Sequence, residues 1–585
     1  MEIPPGLAHL ARILPPALLP CAVTYFFLSR VPLLLDWGVL PLWSRVLGTI
    51  VAPPIVAYVY NEYQQAREAA SLGAVRLPVV YDRWPGGLSL ISKMAKSFKE
   101  GYPGDFLEEW CEQYGNTLVT KVLFQSGIFT TEPEYIKIIL ATDFDNYWKG
   151  PNDSRLLQSL LGFGVFNTDD HLWKFHRNLS RPFFSRERIS DFDIFDRHTQ
   201  DALSRMKARL AEGFPIDFQD LTSRFTLDSA TEFLFGRSVD STSAGLPYPE
   251  SSPLANSPSF LNHPSNNFVR SFVQSQILSA QRASYGHNWP LFEFWKDIVK
   301  PHRKVINEYI DPILNDALAR KRVGGLEDSK EDQTFLSDLV KATDDKEIIR
   351  DAIFNILIAG RDTTAATLTY SVYMLAEHPD IAARLRKEII DTVGSSRMPT
   401  YDDLRGMKYL RAFINETLRL YPPVPFDLRA SKRATTWPST EPGGKPFYIP
   451  AGISCRYSVF LMHRRTDLWG PDALKFDPDR FLDDRVRKYL TVNPFIFLPF
   501  NAGARICLGQ MFAYNEASFF LVRLLQSFTE FSLAPDAQPE STKPPASWKE
   551  CKGTKATEKI TLGTHLTMYA KGGLWVRMKE IAVED

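Results

Sequence analysis

The sequence has few cysteines and no excess of charge of either sign. Its 585 residues include five cysteines, none in a C-x-x-C pair, and 68 basic residues are balanced by 68 acidic ones. An odd number of scattered cysteines argues against a disulfide framework and a zinc site, and it indicates a reducing compartment. A net charge of zero does not favour nucleic-acid binding.

The first sixty residues are nevertheless strongly apolar. No charged residue occurs within 13–29 or within 46–61. Both runs fall short of the roughly 20 residues of a standard span, but flanking arginines can extend to the membrane surface. A cleaved signal peptide is the alternative, although Glu2 stands where a basic start belongs. We expect residues 1–62 to be a membrane anchor with one or two transmembrane segments.

A polar connector follows the anchor. The connector contains Leu77-Pro78 and then Trp84-Pro85-Gly86-Gly87. Its prolines make it rigid at first, and its two glycines make it flexible at the end. We therefore assign residues 63–103 to a hinge and entry segment. Composition rich in Ser, Pro and Asn predicts a mobile loop at 238–267, and polar composition with Pro and Lys predicts a second long loop at 534–559.

One cysteine stands in a distinctive setting near the C-terminus. The stretch from Phe500 to Gly509 reads F-x-x-G-x-R-x-C-x-G and precedes a helical pattern. The positive end of that helix would lower the pKa of Cys507. Gly503 would let the loop turn and let a flat group approach, and Gly509 would let the helix begin against the same group. A small buried cysteine without a ligand role is the alternative.

This loop resembles the haem-thiolate loop of the cytochrome P-450 monooxygenases, and four further motifs follow the order of that family from about residue 77 onward. The resemblance implies a mainly α fold with minor β sheets, a long central helix and a cysteine-ligand loop within residues 104–585. It implies haem b, iron protoporphyrin IX, with Cys507 as its axial thiolate ligand. Phe500, Gly503, Arg505 and Gly509 would surround the haem.

A Trp and an Arg one helical turn apart form the second motif. Trp173 and Arg177 share one helix face, so the indole N–H and the guanidinium can reach one carboxylate together. The resemblance makes them partners of the haem propionates, together with Arg429 and Arg505. A surface-packed pair is the alternative.

The third motif lies in a helical pattern over 344–375 that is apolar nearly all round and should cross the interior. Its small residues and Thr pair predict a local opening at which Thr363 Oγ holds water. Asp362 and Thr363 then offer an acid and a hydroxyl that pass protons to dioxygen, as in the family. Arg361 should point away from the haem and pair with a carboxylate. A bend with a polar tip is the alternative.

The last two motifs predict a structural network. Glu416-x-x-Arg419 ends an apolar helix, and Arg480 lies in a P-x-R-F block farther along. The resemblance places the three in one buried cluster that fixes the chain before the cysteine loop.

Other segments carry weaker expectations. Residues 117–124 and 127–131 predict strands, and 560–566 with 574–576 predict a terminal hairpin. His565, near that hairpin's tip, is expected to be a surface or core histidine rather than an iron ligand. The expected substrate pocket is apolar, lined by Phe163, Phe166, Phe354, Ile358, Ala359, Val424 and Phe426.

The function implied is insertion of one oxygen atom of O2 into C–H bonds of hydrophobic substrates, with electrons from NADPH through a cytochrome reductase and with cytochrome b5 as a further donor. Residues 462–470 and 476–481 resemble those of fungal alkane and fatty-acid hydroxylases, which favours long chains; oxidation of polycyclic aromatic compounds or other xenobiotics is the alternative. A haem-thiolate isomerase or peroxygenase, or a haem carrier, remains an alternative of another class. The resemblance implies the endoplasmic reticulum membrane, with the catalytic domain facing the cytosol.

Overall fold

The computed structural model describes residues 3–34, 39–84, 87–122, 125–189, 192–255, 257–323 and 334–581. Several residues used in the sequence predictions lie outside these ranges: Glu2, Pro85 and Gly86 of the connector, Leu123 and Phe124 of a predicted strand, and Asn256 of the first predicted loop.

Two long apolar helices begin the chain, α1 (Pro5–Leu34) and α2 (Leu42–Ser71). The segments Pro5–Arg30 and Leu42–Ser71 are each long and apolar enough to cross a membrane, and neither is buried against the rest of the protein. Both prolines of α2 lie inside the helix. Because α2 continues to Ser71, the expected anchor boundary at residue 62 falls inside a helix. The pattern is that of a membrane-associated N-terminus.

The remaining helices surround one long central helix. They are α3 (Leu88–Glu100), α4 (Asp105–Tyr114), α5 (Pro133–Lys137), α6 (Pro151–Leu161), α7 (Asp170–Ser180), α8 (Arg186–Ile189), α9 (Asp193–Ala211), α10 (Phe218–Phe235), α11 (Pro258–Leu261), α12 (Pro264–Tyr285), α13 (Lys300–Arg322), α14 (Phe335–Ala342), α15 (Lys346–Glu377), α16 (Pro379–Val393), α17 (Tyr401–Gly406), α18 (Lys408–Leu420), α19 (Val459–Met462), α20 (Thr466–Trp469) and α21 (Gln510–Ser527).

Short strands form the minor part of the fold. They are β1 (Val75–Arg76), β2 (Thr117–Val122), β3 (Gln125–Thr130), β4 (Tyr147–Trp148), β5 (Ile216–Asp217), β6 (Phe426–Ser431), β7 (Thr435–Trp437), β8 (Phe447–Ile449), β9 (Ser454–Ser458), β10 (Phe528–Leu533), β11 (Leu562–Thr564), β12 (Met568–Ala570) and β13 (Trp575–Glu580). The largest sheet has the order β2-β3-β9-β6-β4. The smaller sheets are β1-β8-β7, β10-β13-β5 and β11-β12.

The central helix α15 crosses the interior, as the sequence pattern predicts. Asp345 caps its N-terminus by accepting hydrogen bonds from the backbone N–H groups of Glu347 and Ile348. Buried residues occur on all sides of the helix from Ile349 to Leu375. A helix that is apolar nearly all round must be enclosed by other elements, because no side of it can face water at low free-energy cost.

The C-terminal hairpin differs from its prediction. Strand β11 pairs with β12, and the predicted partner segment 574–576 instead belongs to the strand from 575 to 580, which lies between β10 and β5. The intervening turn residues Gly572 and Gly573 both have positive φ, so the chain reverses direction there. Alternating apolar residues identify a strand but not its partner.

The predicted mobile loop at 238–267 is held at its start. The buried carboxylate of Asp228 accepts hydrogen bonds from the backbone N–H groups of Ser241 and Thr242, at 2.6 and 2.9 Å, and from the Thr242 hydroxyl. The Arg224 guanidinium donates to the Ser241 carbonyl. Neither contact is visible in local composition, because the partners lie on α10. The second predicted loop, 534–559, contains three short 3-10 helices, Glu540–Thr542, Ala546–Glu550 and Thr554–Ala556.

A buried ion-pair network joins α18 to the segment before the cysteine loop. The Glu416 carboxylate accepts from Arg419 at 2.7 and 2.8 Å and from Arg480 Nε at 3.4 Å. Arg419 also donates to the carbonyls of His463, Ala473 and Lys475, and Arg480 donates to those of Trp469 and Asp472. All three charged side chains are at most 1% exposed. Two guanidinium groups thus hold a winding segment through its backbone.

Glu416→Ala should destabilise the protein strongly, by about 3–5 kcal/mol, because the buried Arg419 loses its carboxylate and Arg480 keeps only its contact with Asp472. Thermal unfolding of the full chain in detergent measures the effect. The matched control is Lys387→Ala, which removes an exposed i,i+4 pair with Asp391 and should change stability by less than about 0.5 kcal/mol. Equal effects of the two changes would contradict a structural role for the network.

Candidate functional site

A cavity of about 880 Å³ lies between α15 and the cysteine loop. The central helix contributes Ala359, Gly360 and Thr363 to its wall, and the cysteine loop contributes Phe500 and Cys507. The main sheet, α3, α12 and the C-terminal hairpin complete the wall. Segments far apart in the chain therefore meet around one space that includes the cysteine.

The cysteine loop is shaped by two residues with positive φ. Asn501 has φ 62° and Gly503 has φ 67°. A Cβ on Gly503 would lie only 1.8 Å from the Leu140 carbonyl oxygen, so glycine is needed because the loop packs on the backbone of residue 140. This differs from the expectation that a flat ligand requires it. The Cys507 N–H donates to the Phe500 carbonyl at 3.0 Å, which closes the loop, and Gly509 immediately precedes α21 and lines the cavity.

Cys507 is accessible at the cavity wall. Burial among protein atoms raises the pKa of its thiol above the ordinary value, while the Gly509 N–H and the charge of Arg177 act in the opposite direction. The predicted lowering of this pKa is therefore wrong for the protein alone. A thiolate at this position depends on a bound cation, which lowers the pKa of a coordinating thiol.

Four cations gather at one end of the cavity: Lys149, Arg177, Arg429 and Arg505. Arg429 and Lys149 share the Asp427 carboxylate, at 2.9 and 2.8 Å. Together they hold the pKa of Asp427 well below its usual value, although burial alone would raise it. Asp427 also accepts from the Asn501 amide in the cysteine loop at 3.0 Å.

The Trp173–Arg177 pair lies at the same end. Arg177 donates to the Ile506 carbonyl at 2.9 Å, while Arg505 lies over the Trp173 ring and pairs with Asp169 at 2.6 Å. Burial and the repulsion of Arg429 lower the pKa of Arg505 to about 10. Burial and the same repulsion lower the pKa of Lys149 to about 8. This end of the cavity carries more positive charge than its own carboxylates neutralise.

The proton-relay motif is only partly at the wall. Helix α15 continues through it without a break, and the Thr363 hydroxyl donates to the Ala359 carbonyl at 2.6 Å. The predicted opening is therefore wrong, because the hydroxyl itself satisfies the helix carbonyl. Thr363 lines the cavity; the adjacent Asp362 is buried and absent from the lining, with one oxygen paired to Arg361 at 2.5 Å and the other lacking a partner among the described residues. Arg361 does pair with a carboxylate, as expected, but with its own neighbour.

His565 is a cavity-lining residue that sequence reasoning assigned to the surface or core. Its ring stacks on Tyr569, and its Nδ1 accepts from the Thr567 N–H at 3.2 Å. Burial lowers the pKa of His565 to about 4, with Asp362 acting in the opposite direction. The hairpin therefore brings a neutral imidazole near the Arg361–Asp362 pair, about two hundred residues away in sequence. Its position at a hairpin tip was the available signal.

The predicted apolar pocket is largely assembled. Phe166, Ile358, Ala359, Val424 and Phe426 line the cavity. Two predictions differ from the structure. Phe354 is fully buried on the other side of α15, against Phe272 and the Arg303 guanidinium. Phe163 is 48% exposed and does not line the cavity. Phe354 lies nine residues before the cavity-lining Thr363, about 180° round the helix from it, and a loop residue such as Phe163 has no periodicity from which to infer its direction.

Comparison with known proteins now identifies the fold. The family model described as Cytochrome P450 matches residues 85–554. The chain belongs to the cytochrome P450 family. It is 34% identical to Cytochrome P450 monooxygenase himC of Aspergillus japonicus over 506 residues, 84% of this chain and 81% of that protein. It is 34% identical to Cytochrome P450 52A3-A of Candida maltosa over 77% of this chain and 85% of that one. Cytochrome P450 52-M1 of Starmerella bombicola is 35% identical over 73% and 79%.

Membership makes the protein a P450 monooxygenase, a haem-iron enzyme of the cysteine-thiolate class. The fold is the mainly helical one predicted, with minor sheets. Family members use O2, a redox partner and hydrophobic substrates.

The residues at the site fit such a group. Cys507 offers a sulfur ligand at the wall, and Ala359 and Gly360 leave open space on the opposite helix; a Cβ on Gly360 would meet only Ala230 at 3.7 Å. At the cationic end, Arg505 Nε is buried without a hydrogen-bond partner among the described residues. Unused donors and excess positive charge match a ligand that carries carboxylates.

Trp173→Phe should weaken haem retention, because it keeps an aromatic ring against Arg505 but removes the indole N–H. Loss of one hydrogen bond to a charged group costs about 1.5–3 kcal/mol, so we expect roughly tenfold faster transfer of haem to an apo-globin acceptor. Trp295→Phe, at a site that is 70% exposed, is the control and should leave the rate unchanged. Equal rates for all three proteins would exclude a propionate contact of Trp173.

Proposed function

We propose that this P450 hydroxylates long aliphatic chains, alkanes or fatty acids, with electrons delivered from NADPH by a membrane-bound cytochrome reductase. The observation that supports the substrate class is the apolar wall beside the cysteine, formed by residues such as Ile358, Val424 and Phe426. The resemblance of residues 462–470 and 476–481 to alkane and fatty-acid hydroxylases supports it independently. Oxidation of polycyclic or other xenobiotic compounds is the second candidate, since the same apolar wall would hold a ring system.

In this proposal Cys507 would bind the haem iron, and Trp173, Arg177, Arg429 and Arg505 would hold the propionates of haem b. The bound haem supplies the activation of O2, one atom of which enters a substrate C–H bond while the other becomes water. Phe500 and Gly509 bound the cysteine side of the site. The Cys507 N–H donates to the Phe500 carbonyl, which holds the backbone that carries the sulfur.

Thr363 and Asp362 have the role of proton delivery. Thr363 presents its hydroxyl at the cavity wall, and Asp362 lies next to it with one carboxylate oxygen free. Rotation of Asp362 away from Arg361 would bring an acid toward the Thr363 hydroxyl. The Arg361–Asp362 salt bridge therefore sets the free-energy cost of each proton delivery. Breaking it leaves the Arg361 guanidinium, which is only 5% exposed, without its carboxylate.

The two apolar N-terminal helices support a membrane-anchored arrangement. Anchored through α1 or through both helices, the catalytic domain would lie on the cytosolic face of the endoplasmic reticulum and take hydrophobic substrates from the bilayer. Exposed cations on and after α7, Lys174 and Arg181, form a basic surface near the cysteine loop to which the acidic face of a reductase, or of cytochrome b5, would dock.

The decisive test is the reduced carbon-monoxide spectrum of the full chain in membranes. A thiolate-type Soret band is expected for the wild type and for Cys551→Ala, and its loss for Cys507→Ala. NADPH-dependent oxidation of hexadecane or hexadecanoic acid then tests the substrate class. A thiolate spectrum with turnover of polycyclic compounds alone would exclude the aliphatic-chain proposal and leave the second candidate.

Thr363→Ala should uncouple electron transfer from product formation, because the wall loses the hydroxyl that passes protons. We expect product per NADPH to fall at least about tenfold, a bound set below the roughly 10²–10⁴-fold that a positioned general acid contributes, with peroxide released instead. Thr367→Ala is the matched control: it lies one turn farther along α15, also lines the cavity, and its hydroxyl donates to the Thr363 carbonyl. An unchanged yield in Thr363→Ala would remove the relay from the mechanism.

A further inference from the structure

One cation at the cavity wall has no acceptor. Among the described residues, the lysine and arginine side chains that line the cavity are Lys149, Arg177, Arg429, Arg456 and Arg505. Lys149 and Arg429 donate to Asp427. Arg177 donates to the Ile506 carbonyl, and Arg505 donates to Asp169. The backbone of Arg456 pairs with Phe129 and Leu428 in the sheet, but its guanidinium makes no hydrogen bond or ion pair with any described residue. It is only partly exposed.

Strand geometry separates Arg456 from the cationic end. Arg456 lies in β9 between Phe129 of β3 and Leu428 of β6, both of which line the cavity. Side chains alternate along a strand, so Arg456 shares the face of Leu428, whereas Asp427 and Arg429 lie on the opposite face. Tyr457, the next residue of β9, confirms the alternation because its hydroxyl contacts Asp427 and Asn501. Arg456 is therefore outside the group proposed to hold the propionates.

A second polar group without a partner lies beside Arg456. Ser454 is two residues earlier in β9, on the same face, and it lines the cavity. Its hydroxyl is buried and has no hydrogen-bond partner among the described residues. The flanking positions across the ladder are small, Gly127 on β3 and Ala430 on β6. The buried Ser454 hydroxyl and the Arg456 guanidinium, neither of which has a partner among the described residues, thus lie on one face of β9. Only small residues flank Ser454 there.

No carboxylate of the described wall is paired with Arg456. The two acidic residues that line the cavity are Asp153 and Asp427. Asp427 is shared by Lys149 and Arg429, and Asp153 faces His287 at 3.7 Å. Polar groups that are partly buried without a hydrogen-bond partner have lost hydration, which costs free energy. An anionic group on the bound substrate would offset that cost.

We propose that Arg456, assisted by the Ser454 hydroxyl, binds the carboxylate of a long-chain acid substrate. This deepens the proposed function and rests on it: among aliphatic chains, it selects the fatty acid over the alkane. The guanidinium would take the carboxylate in a bidentate pair, and the apolar residues Leu428, Phe426 and Val424 would carry the chain toward Cys507. With the acid end held, oxidation falls on the methyl-terminal carbons.

The test compares three ligands of one chain length, hexadecanoic acid, its methyl ester and hexadecane, by the Soret shift each produces in the membrane-bound holoenzyme. Arg456→Gln should weaken binding of the acid roughly 10- to 100-fold, and binding of the ester and alkane less than about threefold. Ser454→Ala should weaken the acid alone, by a smaller factor. The control is Arg433→Gln, an exposed arginine just beyond β6 that does not line the cavity; it should change none of the three.

Product analysis adds a second measurement. The wild type should oxidise the acid at its methyl-terminal carbons, and Arg456→Gln should spread oxidation along the chain. Unchanged acid binding in Arg456→Gln, or equal weakening of all three ligands, would overturn the anchor. A wild type that binds and oxidises hexadecane but not the acid would also overturn it while leaving the aliphatic hydroxylase intact. No response to any of the three with a normal thiolate spectrum would overturn both.

Discussion

The carboxylate of Glu416 is the point on which the site depends. It neutralises Arg419 and Arg480, and those two guanidinium groups bind five backbone carbonyls of the winding segment that precedes the cysteine loop. His463 extends the network: its ring lies between the Arg419 carbonyl at 3.1 Å and the Leu498 N–H at 3.0 Å. Burial lowers the pKa of His463 to about 3, so the ring stays neutral and its Nε2 can accept that hydrogen bond. A chain of buried contacts thus runs from a helix motif to the segment that presents Cys507.

The central helix imposes a second constraint. Because α15 remains α-helical through its small residues, Thr363 reaches the cavity while Asp362 is turned away from it and held by Arg361. The acid and the hydroxyl of the relay are neighbours in sequence on different sides of one helix, about 100° apart. Proton delivery in this protein therefore requires movement of a side chain that starts in a buried ion pair, near the neutral ring of His565.

Charge divides the cavity into regions with different tasks. The end near Trp173 carries more cations than its carboxylates neutralise, and burial together with the repulsion of Arg429 lowers the pKa values of Lys149 and Arg505 there. The middle is apolar. On the other face of β6 and β9, Arg456 forms a separate positive position without an internal counterion. Alternation of side chains along two short strands is enough to keep these positive groups apart.

Much of the protein could be predicted from residues close together in sequence. The cysteine loop, the Trp173–Arg177 pair, the Glu416–Arg419 pair and the central helix are local patterns, and spacing along a helix determines which of their side chains share a face. The structure brings the cysteine loop, the Trp173–Arg177 pair and the central helix together around one cavity, and it places the Glu416–Arg419 pair in the buried network with Arg480. The apolar N-terminal helices were likewise visible in composition alone.

Only the tertiary structure decided what depends on contacts between distant segments. The burial of Phe354 against Phe272, the strand paired with β13 and the raised pKa of Cys507 all follow from neighbours that local sequence does not specify. Asp427 and Lys149 are separated by 278 residues, yet they form one ion pair beside the cysteine loop. Arg456 was one arginine among many in the sequence. Its proposed role follows from its surroundings, because only the packed structure shows that its guanidinium has no anionic partner among the described residues.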